Sequence, residues 1–224
     1  MSTKIPPSIP TLAFDAQFRT DDVRLLCGTD EAGRGPLAGP VVAAACILPA
    51  GYMPEGLNDS KKLTEKKRDA LYEIITRDAV AWCAASASPE EIDALNILEA
   101  SLLAMRRAVA GLGIRPDFLL IDGNINRGFD LPARAVVSGD ALSPSIAAAS
   151  IIAKVTRDRL CADYEALYPG YGFAGHKGYP TPAHKLAVFE KGPCPIHRRS
   201  FLGFLERDRE KLQAALDKKC TGGV

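Results

Sequence analysis

Apolar positions along the chain fall into runs of two kinds, and the switches between them mark the elements. Residues 23–30 (VRLLCGTD) form an apolar stretch that ends in acid and predict a buried strand. Residues 41–48 (VVAAACIL) are wholly apolar and lie between Pro40 and Pro49, which predicts a second strand. Residues 63–77 predict a helix with Thr64 or Ser60 near its start, and 79–87 (AVAWCAASA) a third strand. Ser88-Pro89-Glu90-Glu91 then has the form of a capping box with proline at the first helical position. The helix it opens is expected to run to about 109, where Gly111 and Gly113 end it. Strands are expected at 117–122 and 133–138, and a long helix at 144–167 capped by Ser143. Residues 168–182 read as a Gly/Pro/aromatic loop, followed by short helices near 183–190 and 201–218.

The first two strands can pair directly across their glycine-rich connection. The later strands are separated by long helices, as parallel crossovers require. This order predicts an α/β fold: a mixed sheet flanked by helices, with a small helical C-terminal portion. The expected organisation is a flexible leader at 1–20, a core at 21–175 and a helical portion at 176–218.

Composition is that of an ordinary globular chain, 224 residues with 47% hydrophobic and 25% charged. No apolar run approaches the roughly 20 residues that span a bilayer, and the N-terminus lacks the apolar segment of a signal peptide. Six cysteines at 27, 46, 83, 161, 194 and 220 contain no Cys-x-x-Cys pair, and three lie in strand-like runs. Reduced core thiols in a cytoplasmic protein are expected. Cys194-x-x-His197 has no second pair to complete a zinc site. The net charge of +1 is uninformative, but residues 61–77 carry six bases against three acids and residues 176–211 eight against four. Such patches suit a nucleic-acid backbone, and they equally suit solvated helix faces.

Four acids fall where strands end. Asp30 and Glu31 close the first strand, Asp122 closes the fourth, and Asp140 lies just past the fifth. Ligands of open α/β sheets bind at the carboxyl ends of strands, so these acids can converge. A bare carboxylate cluster repels itself, and hard divalent cations, Mg²⁺ or Mn²⁺, relieve that repulsion. Two-metal hydrolysis of a phosphodiester is the chemistry such a site suits. Each acid taken alone also fits an ordinary turn or helix-terminal position, which leaves open a non-catalytic nucleic-acid-binding module. The loop Gly33-x-Gly35-x-x-x-Gly39 leads through Pro40 into a strand, not a helix. It therefore lacks the helix N-terminus a dinucleotide pyrophosphate needs, and its glycines point to close backbone approach.

Six segments, GTDEAGRGPLAGP (28–40), NDSKKLT (58–64), LLIDGN (119–124), GDALSPSIAAASIIAKVTRD (139–158), YGFAGHKGYPTPAH (171–184) and HRRSF (197–201), together resemble ribonuclease HII, the type 2 ribonuclease H. The resemblance spans about 24–204. It implies a ribonuclease H-like mixed sheet and a metal-dependent endonuclease that cuts RNA in RNA/DNA hybrids. It also implies incision 5′ to a ribonucleotide embedded in duplex DNA, leaving a 5′-phosphate and a 3′-hydroxyl. By motif the catalytic and metal-binding acids are Asp30, Glu31, Asp122 and Asp140, with Asp158 a second-choice acid that also fits a helix-surface pair with Lys154. The backbone of Gly33, Arg34 and Gly35 would meet the ribose 2′-hydroxyl and adjoining phosphate, and Tyr179 the next sugar. Ser60, Lys61, Lys62, Arg198 and Arg199 look like phosphate contacts. The histidines are not expected to act in catalysis. The expected partners are RNA/DNA hybrid and ribonucleotide-containing DNA, with no membrane and no obligate protein partner, for a monomer. After HRRSF, Leu202-Gly203-Phe204 departs from the family pattern, which puts the docking of the last helix in question.

Overall fold

Strand β2 (Val41–Ile47) is buried at all seven positions, because helices cover both faces of the sheet it centres. The computed structural model describes residues 9–221, without the side chains of 219–221. β2 pairs antiparallel with β1 (Leu26–Ala32) and with β3 (Ala81–Ala87). β1 pairs parallel with β4 (Phe118–Asp122), and β4 parallel with β5 (Ala133–Val136). The resulting order β3-β2-β1-β4-β5 is the mixed sheet expected from the element order. The strands are shifted or trimmed by one to three residues relative to the sequence pattern, most at β1, which continues to Ala32.

Alternation along β2 divides the core. Val41, Ala43, Ala45 and Ile47 face one helical layer with Ala104, Met105 and Ala108, while Ala44 and Cys46 face Ile151, Ile152 and Leu71. The first layer is α3 (Pro89–Leu95) and α4 (Ile97–Ala110); the second is α2 (Glu65–Asp78) and α5 (Pro144–Leu167). The caps are as predicted. Thr64 accepts from Lys67 N at 3.4 Å, Ser143 from Ile146 N at 3.2 Å, and Ser88 and Glu91 form the reciprocal box.

Four expectations change. The single helix expected from 89 to 109 is two, because Asn96 turns left-handed (φ 73°) and its Oδ1 caps α4 by accepting from Leu98 N and Glu99 N. Asparagine tolerates that conformation better than other non-glycine residues. The helix expected at 201–218 is a 3₁₀ turn at Arg199–Phe201 followed by α8 (Phe204–Arg207) and α9 (Arg209–Thr221). Part of the segment expected as a flexible leader at 1–20 is docked on the core. Residues 1–8 lie outside the described residues, but α1 (Leu12–Ala16) is docked. Its buried Asp15 accepts from Ser143 Oγ at 2.5 Å, Ser145 Oγ at 2.6 Å and Ser145 N at 3.0 Å, at the positive end of α5. The loop at 168–182 contains one turn of helix, α6 (Phe173–His176), before α7 (Pro182–Lys191).

Among the described residues no helix is long and apolar enough to cross a membrane. Cys27, Cys46, Cys161 and Cys194 are buried and Cys83 half-buried, all as free thiols, and Cys220 lies outside the described side chains. Burial pushes the Cys27 thiol up to about 12.

α5 lies against β1 at backbone contact. A Cβ on Gly28 would stand 2.1 Å from the Ser145 carbonyl carbon and 2.3 Å from Ile146 N. Gly28→Ala is expected to destabilise the protein by about 2–3 kcal/mol through overpacking that backbone cannot relieve. The urea midpoint against that of the parent checks this; an unchanged midpoint would mean that α5 can lift from the sheet.

Candidate active site

The parallel register Thr29↔Ile121 carries Asp30 to the same level as Asp122, at the carboxyl ends of two adjacent strands. Glu31 follows Asp30 on β1. Asp140 comes from the 3₁₀ turn Gly139–Ala141 just beyond β5, and this turn is tied to β4 by the Gly139 N–H, which donates to Asp122 Oδ1 at 2.7 Å. The chain enters that turn through Ser138 in the left-handed region (φ 55°). Sheet topology therefore links the four expected acids through Asp122, which acts electrostatically on Asp30 and Glu31 and is itself acted on by Asp140.

Burial sets their charge. Asp30, 4% exposed, is held well above the usual carboxylate range, first by loss of water and then by the charges of Glu31 and Asp122. A hydrogen bond from Ser150 and the Glu31 N–H at 2.7 Å partly offset this. Asp122 is raised by burial and by Asp140. Glu31 is raised by burial against the pull of Arg34, whose Nη1 lies 3.2 Å from Glu31 Oε1. Lys61 Nζ sits 3.1 Å from Asp140 Oδ2. Desolvation alone would lower Lys61, but the bond and charge of Asp140 outweigh it and raise its pKa. Among the described residues no three His, Cys, Asp or Glu side chains stand close enough to ligate one ion as placed. Lys61 and Arg34 hold the outer two acids instead. The donor set is entirely oxygen and its repulsion only partly neutralised, which fits hard divalent cations.

The acids open into a cleft of about 340 Å³ that Asp30, Glu31 and Asp122 line together with Gly33, Arg34, Gly35, Ser60, Lys61 and Tyr179. Tyr179, 43% exposed, leans over the glycine loop: a Cβ at Gly35 would come within 3.5 Å of its Cε1. Three lining residues absent from the expected set, Ser150, Lys154 and Arg157, come from α5. Their spacing of four and three residues places them on one helix face, a signal that lay in the AKVTRD motif.

Two expectations are revised by position. Arg198 is fully buried and cannot contact a phosphate: its guanidinium donates to the carbonyls of Gly39 (2.9 Å), Arg34 (2.9 Å) and Gly33 (2.6 Å). Asp158 does not join the acids of the cleft; it faces a separate recess, 2.6 Å from Lys154 Nζ and 3.8 Å from Arg68 Nη2. Ser60 lines the cleft but is itself buried, its Oγ 2.9 Å from Ser150 Oγ. Arg199 is exposed outside the cleft lining, its N–H donating to Asp93 at 2.8 Å. Lys62 closes the 3₁₀ turn Ser60–Lys62, outside the cleft lining.

The histidines form one buried network beneath Tyr179. His184 Nδ1 donates to Tyr179 O at 2.9 Å, so its Nε2 accepts from His197 Nε2 at 3.1 Å, and His197 Nδ1 accepts from Cys194 N at 3.0 Å. His176 stacks on His184 with ring centroids 4.2 Å apart. Burial lowers His184 and His197 to about 4, so both are neutral at pH 7.

The sequence model of the family described as Ribonuclease HII matches residues 27–203. The chain is 58% identical over 183 residues to a ribonuclease HII of Burkholderia ambifaria, covering 82% of this chain and 83% of that one. It is 55% identical over 198 residues to one of Citrifermentans bemidjiense, covering 88% and 86%. Its fold is similar to the crystal structure of ribonuclease H2 from Pyrococcus horikoshii, with a TM-score of 0.68 and 28% identity over 84% of this chain and 98% of that one.

His184 and His197 bind protons more readily unfolded, near 6.5, than folded, near 4. Their stabilising contribution is therefore present above pH 6.5 and lost as pH falls toward 4, on the order of 2 kcal/mol each. Urea denaturation at steps across this window is expected to show that loss. A His184→Phe, His197→Leu double variant should flatten the dependence; an equally steep profile would assign it to other groups.

Proposed function

The chain belongs to the ribonuclease HII family, endoribonucleases that cut the RNA strand of RNA/DNA hybrids, and from that premise we propose that Asp30, Glu31, Asp122 and Asp140 carry the hydrolysis with Mg²⁺ or Mn²⁺ and that the enzyme also incises duplex DNA 5′ to a single embedded ribonucleotide. The observation that supports this most directly is the buried Asp30, raised in pKa by desolvation and by Glu31 and Asp122, in a cleft that a glycine loop and an aromatic ring also line. A fold keeps such repulsion where cations are to be held.

Asp30, nearest the centre of the charge, would hold both cations. Glu31, Asp122 and Asp140 would complete their ligation once Lys61 and Arg34 turn from the acids toward the substrate phosphates. When bound, two divalent cations activate the attacking water and stabilise the leaving oxygen. The water oxygen bonds to phosphorus in line as the bond to the 3′ oxygen breaks, giving a 5′-phosphate and a 3′-hydroxyl. The ribose 2′-hydroxyl is read, not used as nucleophile, so no histidine need take its proton.

The loop of Gly33, Arg34 and Gly35 would read that hydroxyl through its backbone, because it is the atom that tells RNA from DNA. Tyr179, in contact range of Gly35, would pack on the following sugar and favour deoxyribose there. The 176–218 portion, by carrying Tyr179, would thus complete the substrate groove. Ser60, Lys61 and Arg199 remain the candidate phosphate contacts; Arg198 is withdrawn from that set.

A labelled duplex with one ribonucleotide, incubated with Mg²⁺, Mn²⁺ or chelator, tests both parts. The expected result is chelator-sensitive incision immediately 5′ of the ribonucleotide with a 3′-hydroxyl end. Asp122→Asn should reduce cleavage by roughly 10³-fold, the scale of losing one ion's transition-state charge stabilisation, while binding persists. Cutting of long hybrids without junction incision would keep the acids and remove the junction reading. Binding with no cutting of either substrate would favour the non-catalytic module.

A further inference from the structure

Two arginines lie buried under the glycine loop and face no carboxylate within ion-pair distance among the described residues. Arg198 spans three loop carbonyls, Gly33, Arg34 and Gly39, with three separate N–H groups. Arg157 donates to Pro40 O (3.3 Å), Ala38 O (3.2 Å) and Lys177 O (2.9 Å). The loop rests directly on it: Gly33 has φ 98°, and a Cβ there would stand 2.0 Å from Arg157 Nε. Burial and the neighbouring Arg157 push Arg198 down to about 9, which leaves it charged at neutral pH.

Every peptide bond here is trans. In a planar trans peptide the N–H points opposite to the C=O of the preceding residue. The Gly33 carbonyl points down to Arg198, so the Arg34 N–H points away from it. The Arg34 carbonyl points down as well, so the Gly35 N–H also points away. Gly33, Arg34 and Gly35 line the cleft and Arg198 does not, so the cleft lies on the side of the loop away from Arg198. Consecutive N–H groups turned one way form a nest for a negative or oxygen-rich group. A guanidinium on the carbonyl side polarises both peptides in the same sense.

We infer that Arg198, seconded by Arg157, is a positioning residue for ribose recognition: by gripping the Gly33 and Arg34 carbonyls from beneath, it aims the N–H groups of Arg34 and Gly35 at the 2′-hydroxyl and its adjoining phosphate. This rests on the junction reading above. Arginine is needed because its rigid planar fork serves three carbonyls at once, which a single ammonium cannot do.

The test compares affinity for a fluorescent duplex with one ribonucleotide against the same duplex in DNA alone, by anisotropy, in an Asp122→Asn background whose slowed cleavage leaves the duplex intact over the measurement. Adding Arg198→Lys or Arg198→Met is expected to reduce the preference for the ribonucleotide about tenfold, the scale of one charge-assisted hydrogen bond. Affinity for the all-DNA duplex should stay unchanged. Equal weakening on both duplexes, or an unchanged preference in a folded variant, overturns the inference and leaves Arg198 a purely structural residue. A second measurement needs no variant at position 198. In the Asp122→Asn protein, the amide resonances of Arg34 and Gly35 should shift with the ribonucleotide duplex and not with the DNA duplex; resonances that respond alike to both overturn the inference. Absence of any ribonucleotide preference in the Asp122→Asn parent would instead mark failure of the junction reading, and the inference falls with it.

Discussion

Helix α5 lies on strand β1 with no side chain between their backbones at Gly28 and Ser145, and that contact sets the register of the whole site. From Gly28 the strand rises about 3.3 Å per residue, so five residues to Gly33 span roughly 17 Å. From Ser145 the helix rises about 1.5 Å per residue, so twelve residues to Arg157 span roughly 18 Å. The two ends meet, with Arg157 against Gly33. Between them the helix presents Ser150 and Lys154 to the strand's Asp30 and Glu31. A Cβ at Gly28 would clash with the α5 backbone and strain every one of these pairs.

Upon that register the charges are arranged in two opposed layers. Carboxylates cluster at the strand ends, partly neutralised by Lys61 and Arg34. Guanidiniums lie under the adjoining loop and bind carbonyls rather than acids. Leaving either layer uncompensated is unfavourable for folding alone. On the proposed reading they make a cleft with cation-binding oxygens on one side and outward N–H groups on the other, the complement of a phosphodiester beside a ribose hydroxyl. The neutral histidine network beneath Tyr179 serves the same geometry, because His184 holds the Tyr179 carbonyl and His197 precedes Arg198 in the chain.

The sequence by itself determined the mixed α/β architecture, through apolar runs, proline boundaries and caps whose effects are local. Thr64, Ser88 and Ser143 cap the helices they were expected to cap. The four acids were legible because strand ends can be read from hydrophobic pattern, and strand ends are where sheets present ligands. The family was legible in six motifs. Only tertiary structure decided what local patterns do not encode. Asn96 breaks a helix through a backbone angle that its neighbours do not announce. Asp15 docks a segment read as loose leader because its partners, Ser143 and Ser145, lie about 130 residues away in sequence. Arg198 and Arg199 are identical neighbours in a basic motif, yet one is buried under a loop and the other exposed. Burial is a sum over distant segments, and it decides whether an arginine is left free to face solvent or is spent holding backbone carbonyls.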